Sequence, residues 1–243
     1  MHKVVTRSAT TFRFFAGAAA AVAAISAVAQ IGVPSAVAQP ADSGGCADVQ
    51  IIKVRGTNEP QSGSFLLTPL ASQIARDGTN RATVELEYPA TRAAESVSKG
   101  VDNLVLLLNT LGATCPNQQV VLLGYSQGAR VITEVLGSTR VSNDAAARIE
   151  GIALFGDPTF TGTDPYNRGD FDPKLSGLHP RPEGSLATYA DRLRDYCNAG
   201  DKVCQGGDPN ATQFENGLSS GHLMYFVNDT RNKAVTFLRG RLW

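Results

Sequence analysis

The sequence predicts an α/β protein, a single domain with a central, mostly parallel five-stranded sheet flanked by helices. Short apolar segments with strand character alternate along the chain with segments of helical periodicity, a pattern typical of a parallel sheet covered on both faces. The apolar run at residues 120–123 also leads directly into a tight turn and then into a helical pattern at residues 129–136. Because the carboxyl ends of parallel strands share one edge of the sheet, we expect functional side chains to gather there.

The expected elements follow from periodicity and from the turn residues that bound them. The helical segment at residues 93–111 places four apolar residues on one face: Val97, Val101, Leu104 and Leu108. Residues 165–182 are rich in Pro and Gly and are expected to be irregular. The remaining predictions are strands at residues 49–54, 83–88, 120–123, 149–155 and 190–196, and helices at residues 66–75, 129–136 and 229–238.

The turn Gly124-Tyr-Ser-Gln-Gly128 lies between a predicted strand and a predicted helix. A serine in this position is held in a strained conformation with its hydroxyl pointing away from the sheet. A side chain in place of either glycine would collide with the neighbouring elements. The following helix directs its unpaired N–H groups to the point where an oxyanion would form. Ser126 is therefore the candidate nucleophile.

A second match to the same pattern, Gly217-Leu-Ser-Ser-Gly221, lacks this context. No strand is predicted before it, and no helix is expected to begin within it. We therefore interpret Ser219 as a loop residue.

The first 38 residues have the features of a signal peptide that is cleaved after export. Basic residues precede an uncharged stretch at residues 14–37, and Ala36-Val-Ala38 offers a cleavage site. A permanent membrane anchor is the alternative, but this stretch is weakly hydrophobic for a membrane span. Residues 39–45 then form a short polar leader, and residues 46–243 form the folded domain. The net charge is zero, which argues against nucleic acid as a partner.

The four cysteines all follow the predicted signal peptide, which favours two disulfides over free thiols or a metal site. Cys197 and Cys204 flank a Gly-Asp turn and are close in sequence, so we pair them, which leaves Cys46 with Cys115. A zinc site would need histidines near these cysteines, and the sequence has none there.

A serine nucleophile needs a base, usually a histidine, and a carboxylate that orients the base. Two histidines follow the leader, and His222 precedes the closing helix late in the chain, where this fold class places the base. His179 is in the irregular segment and is interpreted as a solvated loop residue. For the acid, spacing favours Asp201, inside the Cys197–Cys204 loop, and leaves Asp157 as an open alternative.

Three segments together resemble the cutinase family, and most of all the cutinase-like serine esterases that actinobacteria secrete. They are Gly124-Tyr-Ser-Gln-Gly-Ala129, Cys197-Asn-Ala-Gly-Asp-Lys-Val-Cys204 and Gly221-His-Leu-Met-Tyr225. The resemblance runs from about residue 46 to the C-terminus. It implies an α/β-hydrolase fold without a lid domain, a triad of Ser126, Asp201 and His222, and the same two disulfides.

The resemblance also implies an oxyanion hole and a substrate class. The donors would be the backbone N–H of Gln127 and Thr57, which can offer both its N–H and its hydroxyl; the alternative for Thr57 is an ordinary turn residue. Fungal cutinases have an apolar stretch before the catalytic histidine, whereas residues 214–221 of this chain are mostly polar. This departure favours smaller or mixed-polarity esters over cutin. Tyr125, Leu223 and Met224 are candidate lining residues of an acyl groove.

These observations predict a secreted serine esterase, extracellular or associated with the cell wall, that hydrolyses short- to medium-chain carboxylic esters through an acyl-enzyme. The expected partner is a small or lipid-like ester. We expect no metal or organic cofactor, no membrane span after processing, and a monomer. An acetyl-polysaccharide esterase or a phospholipase could use the same triad. The alternative outside the enzymes is a secreted binding module on an inactive hydrolase scaffold.

Overall fold

The computed structural model describes residues 45–78, 80–206 and 219–242. The predicted signal peptide and residues 39–44 of the predicted leader lie outside them. The helices and strands follow one another as β1 Val49–Val54, α1 Leu67–Arg76, β2 Arg81–Glu85, α2 Glu95–Thr114, β3 Gln119–Tyr125, α3 Gln127–Leu136, α4 Asn143–Ala147, β4 Ile149–Phe155, β5 Asn167–Arg168, β6 Leu193–Tyr196, α5 Ser220–Leu223 and α6 Thr230–Arg239.

The strands form one parallel sheet in the order β2-β1-β3-β4-β6-β5, which confirms the predicted fold class. The sheet has six strands and not five, because Asn167 and Arg168 pair with Asp195 and Tyr196 at its edge. These two residues lie in the segment that was predicted to be irregular. A strand of two residues depends on its partner strand and leaves no periodicity in the sequence.

The core consists of two main apolar clusters, one on each face of the sheet. Successive residues of β3 alternate between them: Leu122 packs against α2 and α3, whereas Val121 and Leu123 pack against α1 and α6. This alternation is the two-residue period of a strand. Both faces are covered, so the central strands read as continuous apolar runs.

Two disulfides join Cys46 to Cys115 and Cys197 to Cys204, the pairing expected from the sequence. The first ties the start of the domain to the end of α2, and the second closes a short loop after β6. Among the described helices, none combines the length and the apolar character that crossing a membrane requires.

Candidate active site

Ser126 lies between the end of β3 and the start of α3, with backbone angles φ 53° and ψ −119°. A positive φ is uncommon for a residue with a Cβ and is seen where surrounding structure enforces it. Here the Ser126 N–H donates to the carbonyl of Phe155 on β4. A Cβ at Gly128 would lie 1.8 Å from the Val54 carbonyl oxygen, so only glycine allows α3 to approach β1 this closely. The sequence therefore forces the serine into this turn.

His222 and Asp201 form a buried pair beside this turn. The Nδ1 atom of His222 lies 2.9 Å from both carboxylate oxygens of Asp201, and both side chains are almost fully buried. An ionised carboxylate only accepts hydrogen bonds, so Nδ1 carries the proton in the neutral imidazole and Nε2 has the free lone pair. Among the described residues, Nε2 has no hydrogen-bond partner. The pair thus presents a base, and the side chains of Ser126 and His222 line the same cavity.

Close backbone packing brings the two loops of this pair together. The Gly221 N–H donates to the Gly200 carbonyl, and a Cβ at Gly221 would lie 2.3 Å from the backbone nitrogen of Asp201. Gly156, after β4, has φ 59°, and a Cβ there would lie 2.7 Å from the His222 ring. Because these two glycines have no side chains, the imidazole and the carboxylate have room to meet.

The Tyr125 ring supports the imidazole from one side. Its centroid lies 4.9 Å from that of His222 in a stacked arrangement, and its hydroxyl donates to the His222 carbonyl. Burial raises the pKa of this phenol far above its ordinary value, so it stays neutral and keeps its proton to donate. Tyr125 thus contacts the base itself, besides contributing to the cavity wall as predicted.

The turn that carries Thr57 is fixed by two charged side chains. The Glu59 carboxylate accepts from the Gly56 N–H, the Ser64 hydroxyl and the Phe65 N–H. The buried Arg55 guanidinium donates to three backbone carbonyls, those of Glu59, Leu86 and Tyr88. These bonds hold the turn rigid where it borders the cavity next to Ser126.

Gln127 is the first residue of α3, so no preceding helical turn supplies a partner for its N–H. Its side chain bonds the loop that precedes α2. The Gln127 amide donates to the Thr91 carbonyl and accepts from the Ser96 hydroxyl. Gln127 and Thr57 both line the cavity of Ser126, the placement that an oxyanion hole would need.

The cavity at Ser126 measures about 640 Å³ and has walls of different character. Two apolar residues at its edge are strongly exposed, Phe65 at 72% and Leu178 at 55%. The other aliphatic and phenyl lining residues are Val97, Pro158, Val203, Leu223 and Phe226, and the polar and charged ones include Glu59, Arg92, Arg130 and His179. Leu223 lies in the cavity wall, whereas Met224, which is 43% exposed, is not among the lining residues.

The residues considered as alternatives in the sequence lie in environments different from that of the His222–Asp201 pair. Asp157 is fully buried and forms an ion pair with Arg181 at 2.6 Å, while the imidazole of His222 meets Asp201. His179 is exposed as expected, although it lies on the rim of the cavity. Ser219 is buried, and its hydroxyl accepts from the Lys202 N–H. The expectation that no helix begins beside Ser219 was wrong, because α5 begins at Ser220; four residues are too few to give a helical pattern.

Several supporting residues were not found from the sequence: Arg55, Glu59, Tyr225 and Gly156. The charge of Arg55 directly after an apolar strand was a usable signal, since a buried arginine needs several acceptors. No group of three or more His, Cys, Asp or Glu side chains is arranged to hold a metal ion within the described part of the chain.

The family model for Cutinase matches residues 45–242. Carboxylesterase Culp1 of Mycobacterium tuberculosis is 29% identical over 208 residues, which cover 81% of this chain and 82% of that protein. Phospholipase Culp4 of the same organism is 31% identical, over 95% of this chain and 96% of that protein. The acetylxylan esterase of Hypocrea jecorina is 32% identical, over 75% of this chain and 67% of that protein. The match spans 62% of the length of a cutinase from Kineococcus radiotolerans.

Solved structures agree on the fold. The catalytic core domain of acetyl xylan esterase from Trichoderma reesei superposes with a TM-score of 0.70 at 23% identity, over 81% of this chain and 99% of that one. A cutinase-like protein from Cryptococcus sp. gives a TM-score of 0.69 at 24% identity, over 83% and 98% of the two chains. At these identities the structures show a shared fold alone. The match of the family model over nearly all the described residues goes further: the chain belongs to the cutinase family.

Proposed function

We propose that this cutinase-family protein, a carboxylic ester hydrolase, works as a secreted serine esterase with Ser126 as nucleophile, His222 as base and Asp201 as the acid of the triad. The observation that carries the proposal is the buried His222–Asp201 pair, whose Nε2 has no hydrogen-bond partner among the described residues and which lies beside the strained Ser126 turn. The Ser126 hydroxyl is not hydrogen-bonded to Nε2 in this structure, but this nitrogen is free to accept a proton and both side chains line one cavity, which supports acyl transfer once substrate brings them together.

The proposed reaction has two halves. Ser126 Oγ attacks the ester carbonyl while His222 Nε2 takes its proton, and the imidazolium then gives that proton to the departing alcohol. A water molecule, deprotonated by the same nitrogen, attacks the acyl-enzyme, and the carboxylic acid leaves as Ser126 regains its proton. Asp201 stabilises the imidazolium, and the Gln127 N–H and Thr57 stabilise the negative oxygen of each tetrahedral intermediate.

The cavity supports an ester with one apolar and one polar side. Phe65, Leu178 and Phe226 offer an acyl chain apolar contact, and Arg92, Arg130 and His179 offer the other part of the substrate a charged or polar surface. This favours short- to medium-chain acyl esters of polar alcohols. The named activities of two relatives, phospholipase and acetylxylan esterase, fit the same description and are the competing substrate classes.

Substitution Ser126→Ala tests the mechanism directly. Removal of the nucleophile is expected to lower kcat by about four to six orders of magnitude. Hydrolysis of p-nitrophenyl butyrate is the assay, and an unchanged thermal unfolding midpoint is the control for folding. A variant that keeps a tenth of wild-type activity would rule out Ser126 as nucleophile.

A panel of substrates distinguishes the three substrate classes, which are short- to medium-chain esters, acetylated xylan and phospholipids. p-Nitrophenyl esters of increasing chain length, acetylated xylan and a diacyl phospholipid would be compared by kcat/KM. We expect a maximum among the shorter and medium p-nitrophenyl esters. A kcat/KM for the phospholipid or the xylan that exceeds every synthetic ester would transfer the assignment to that class.

A further inference from the structure

We propose that Tyr225 is a positioning residue of the triad, whose hydroxyl holds the Asp201 carboxylate and sets the charge that His222 experiences. The inference rests on the proposed function and adds a residue to it. The Tyr225 hydroxyl lies 2.9 Å from Oδ2 of Asp201. Among the described residues, two side chains donate to this carboxylate, the His222 imidazole and the Tyr225 hydroxyl. The backbone N–H of Val203 also donates to Oδ1, at 2.8 Å.

The direction of the Tyr225 hydrogen bond follows from its other neighbour. The backbone N–H of Asn198 lies 3.0 Å from the phenol oxygen and can only donate, so it occupies an acceptor position of that oxygen. Burial, and then the negative charge of Asp201, raises the pKa of the phenol well above its ordinary value, so the hydroxyl keeps its one proton. The disulfide sulfur of Cys204, 3.6 Å from the same oxygen, is a much weaker acceptor than a carboxylate, so the proton points to Asp201 and a chain runs from the Asn198 N–H through Tyr225 to the carboxylate.

The ring of Tyr225 fixes the hydroxyl in this place. The side chain is fully buried and meets three aromatic rings edge to face: Phe155 at 5.9 Å, Tyr125 at 6.3 Å and His222 at 6.3 Å between centroids. Because each of these rings is itself part of the core or of the site, the phenol has little freedom to turn away. A hydrogen bond whose donor cannot move orients its acceptor.

This position has a chemical consequence beyond packing. A hydrogen bond from Tyr225 draws negative charge from the carboxylate and so weakens its stabilisation of the imidazolium. Loss of the bond leaves a carboxylate that is more basic and less well oriented. The more basic carboxylate stabilises the imidazolium more strongly, so the acid limb of the kcat/KM profile moves to higher pH. The poorer orientation of the carboxylate lowers kcat.

Tyr225→Phe removes the hydroxyl and keeps the ring. We expect kcat/KM for p-nitrophenyl butyrate to fall about tenfold to a hundredfold, the range for losing one hydrogen bond to a charged group. The fall should lie in kcat with KM nearly unchanged, and the acid limb should move up by about half a pH unit or more. Tyr196→Phe is the matched control: Tyr196 is buried and stacks on Phe155, but its hydroxyl bonds none of the described residues.

A second variant keeps the hydroxyl and decides the question even if Tyr225→Phe does not fold. Replacement of Tyr225 by 3,5-difluorotyrosine makes the phenol a stronger donor at nearly the same size. The acid limb should then move to lower pH, opposite to its shift in the phenylalanine variant. If the acid limb of the kcat/KM profile stays at its wild-type pH in every variant that folds, the proposal is wrong, whatever the change in kcat.

A double-mutant cycle with Asp201→Asn tests whether Tyr225 acts through Asp201. The readout is the rate at which a fluorophosphonate labels the protein. In the Asp201→Asn background, Tyr225→Phe should change this rate less than twofold, because the carboxylate that the hydroxyl serves is gone. A full additive loss in both backgrounds would contradict the proposal. Wild-type protein that the probe does not label would instead mean that the proposed function itself is wrong.

Discussion

Two buried groups of ionisable side chains lie near the ends of neighbouring strands, and they differ in whether one member keeps a free hydrogen-bonding atom. After β6, Asp201 meets His222, whose Nε2 has no partner among the described residues. After β4, Asp157 meets Arg181, which also contacts Asp164 and Asp195. A guanidinium stays protonated and cannot accept a proton, whereas an imidazole can. Burial of a carboxylate therefore does not identify an active site; the protonation chemistry of its partner does.

The two groups also differ in their access to the cavity. His222 lines the cavity together with Ser126, whereas neither Arg181 nor any of its three aspartates is among the lining residues. The Arg181 group joins β4, β6 and the irregular segment between them. We interpret it as structural, and the His222 group as the candidate site.

The largest contrast is expected between Asp201→Asn and Asp157→Asn. The first should lower kcat by about four orders of magnitude, because the amide orients the imidazole in the wrong tautomer. The second should leave kcat per folded molecule within about fivefold of wild type and lower stability instead. Hydrolysis of p-nitrophenyl butyrate, normalised to folded protein, measures both. Equal losses of kcat would erase the distinction between the two carboxylates.

Removal of the Arg181 cation should lower the stability of the fold and not impair catalysis. Arg181→Met leaves three buried acidic side chains without their cation, and we expect a loss of about 3–5 kcal/mol in the free energy of unfolding. Arg140→Met, which breaks the exposed pair with Asp102, is the control and should cost about 1 kcal/mol or less. Denaturant titration measures both. A loss for Arg181→Met no larger than the control would show that the group does not hold the fold.

The two disulfides should separate stability from activity. Removal of Cys46–Cys115 opens the longer loop and should cost about 4 kcal/mol, against about 2.5 kcal/mol for Cys197–Cys204, on the chain-entropy estimate. The shorter loop carries Asp201, so its removal should lower kcat more although it costs less stability. Paired serine substitutions, with stability and kcat measured on each, provide the comparison. Equal effects on kcat would mean that the short disulfide does not hold the carboxylate.

The last effect is gradual and concerns the pH dependence of stability. Burial, and then the charge of Asp157, raises the pKa of Asp195 to about 8, against 3.8 for the ordinary side chain. Between these values the folded state binds more protons than the unfolded state, so this group makes stability fall as pH rises, by about 1.4 kcal/mol per pH unit at most.

Asp195→Asn should remove this slope. Its stability relative to wild type should therefore improve from pH 5 to pH 8, as followed by urea titration at both values. A difference from wild type that stays constant over this range would show that Asp195 does not titrate there.

The sequence was informative where local pattern decides the structure. The apolar run of β3, the glycines at 124 and 128 and the periodicity of α3 lie within about twenty residues, so they predicted the Ser126 turn from local physics alone. The Cys197–Cys204 pairing was also predicted from two nearby cysteines and is confirmed, whereas the choice of Asp201 over Asp157 rested mainly on the family resemblance.

Contacts between distant segments could not be found in this way. β5 exists because Asn167 and Arg168 meet β6, some twenty-five residues later in the chain. Arg181, from a segment without periodicity, meets Asp157, Asp164 and Asp195, and the role of the Tyr225 hydroxyl depends on how close the residues after α5 lie to the Asp201 loop. Such interactions arise from tertiary packing, which no local pattern encodes.

The most direct test of the central claim, that the His222–Asp201 pair activates Ser126, is covalent labelling by a fluorophosphonate followed by peptide mass spectrometry. The account predicts one adduct per chain, located on Ser126, formed at a nearly wild-type rate in Asp157→Asn and orders of magnitude more slowly in Asp201→Asn. An unlabelled wild-type protein, or an adduct on a different residue such as Ser219, would contradict it.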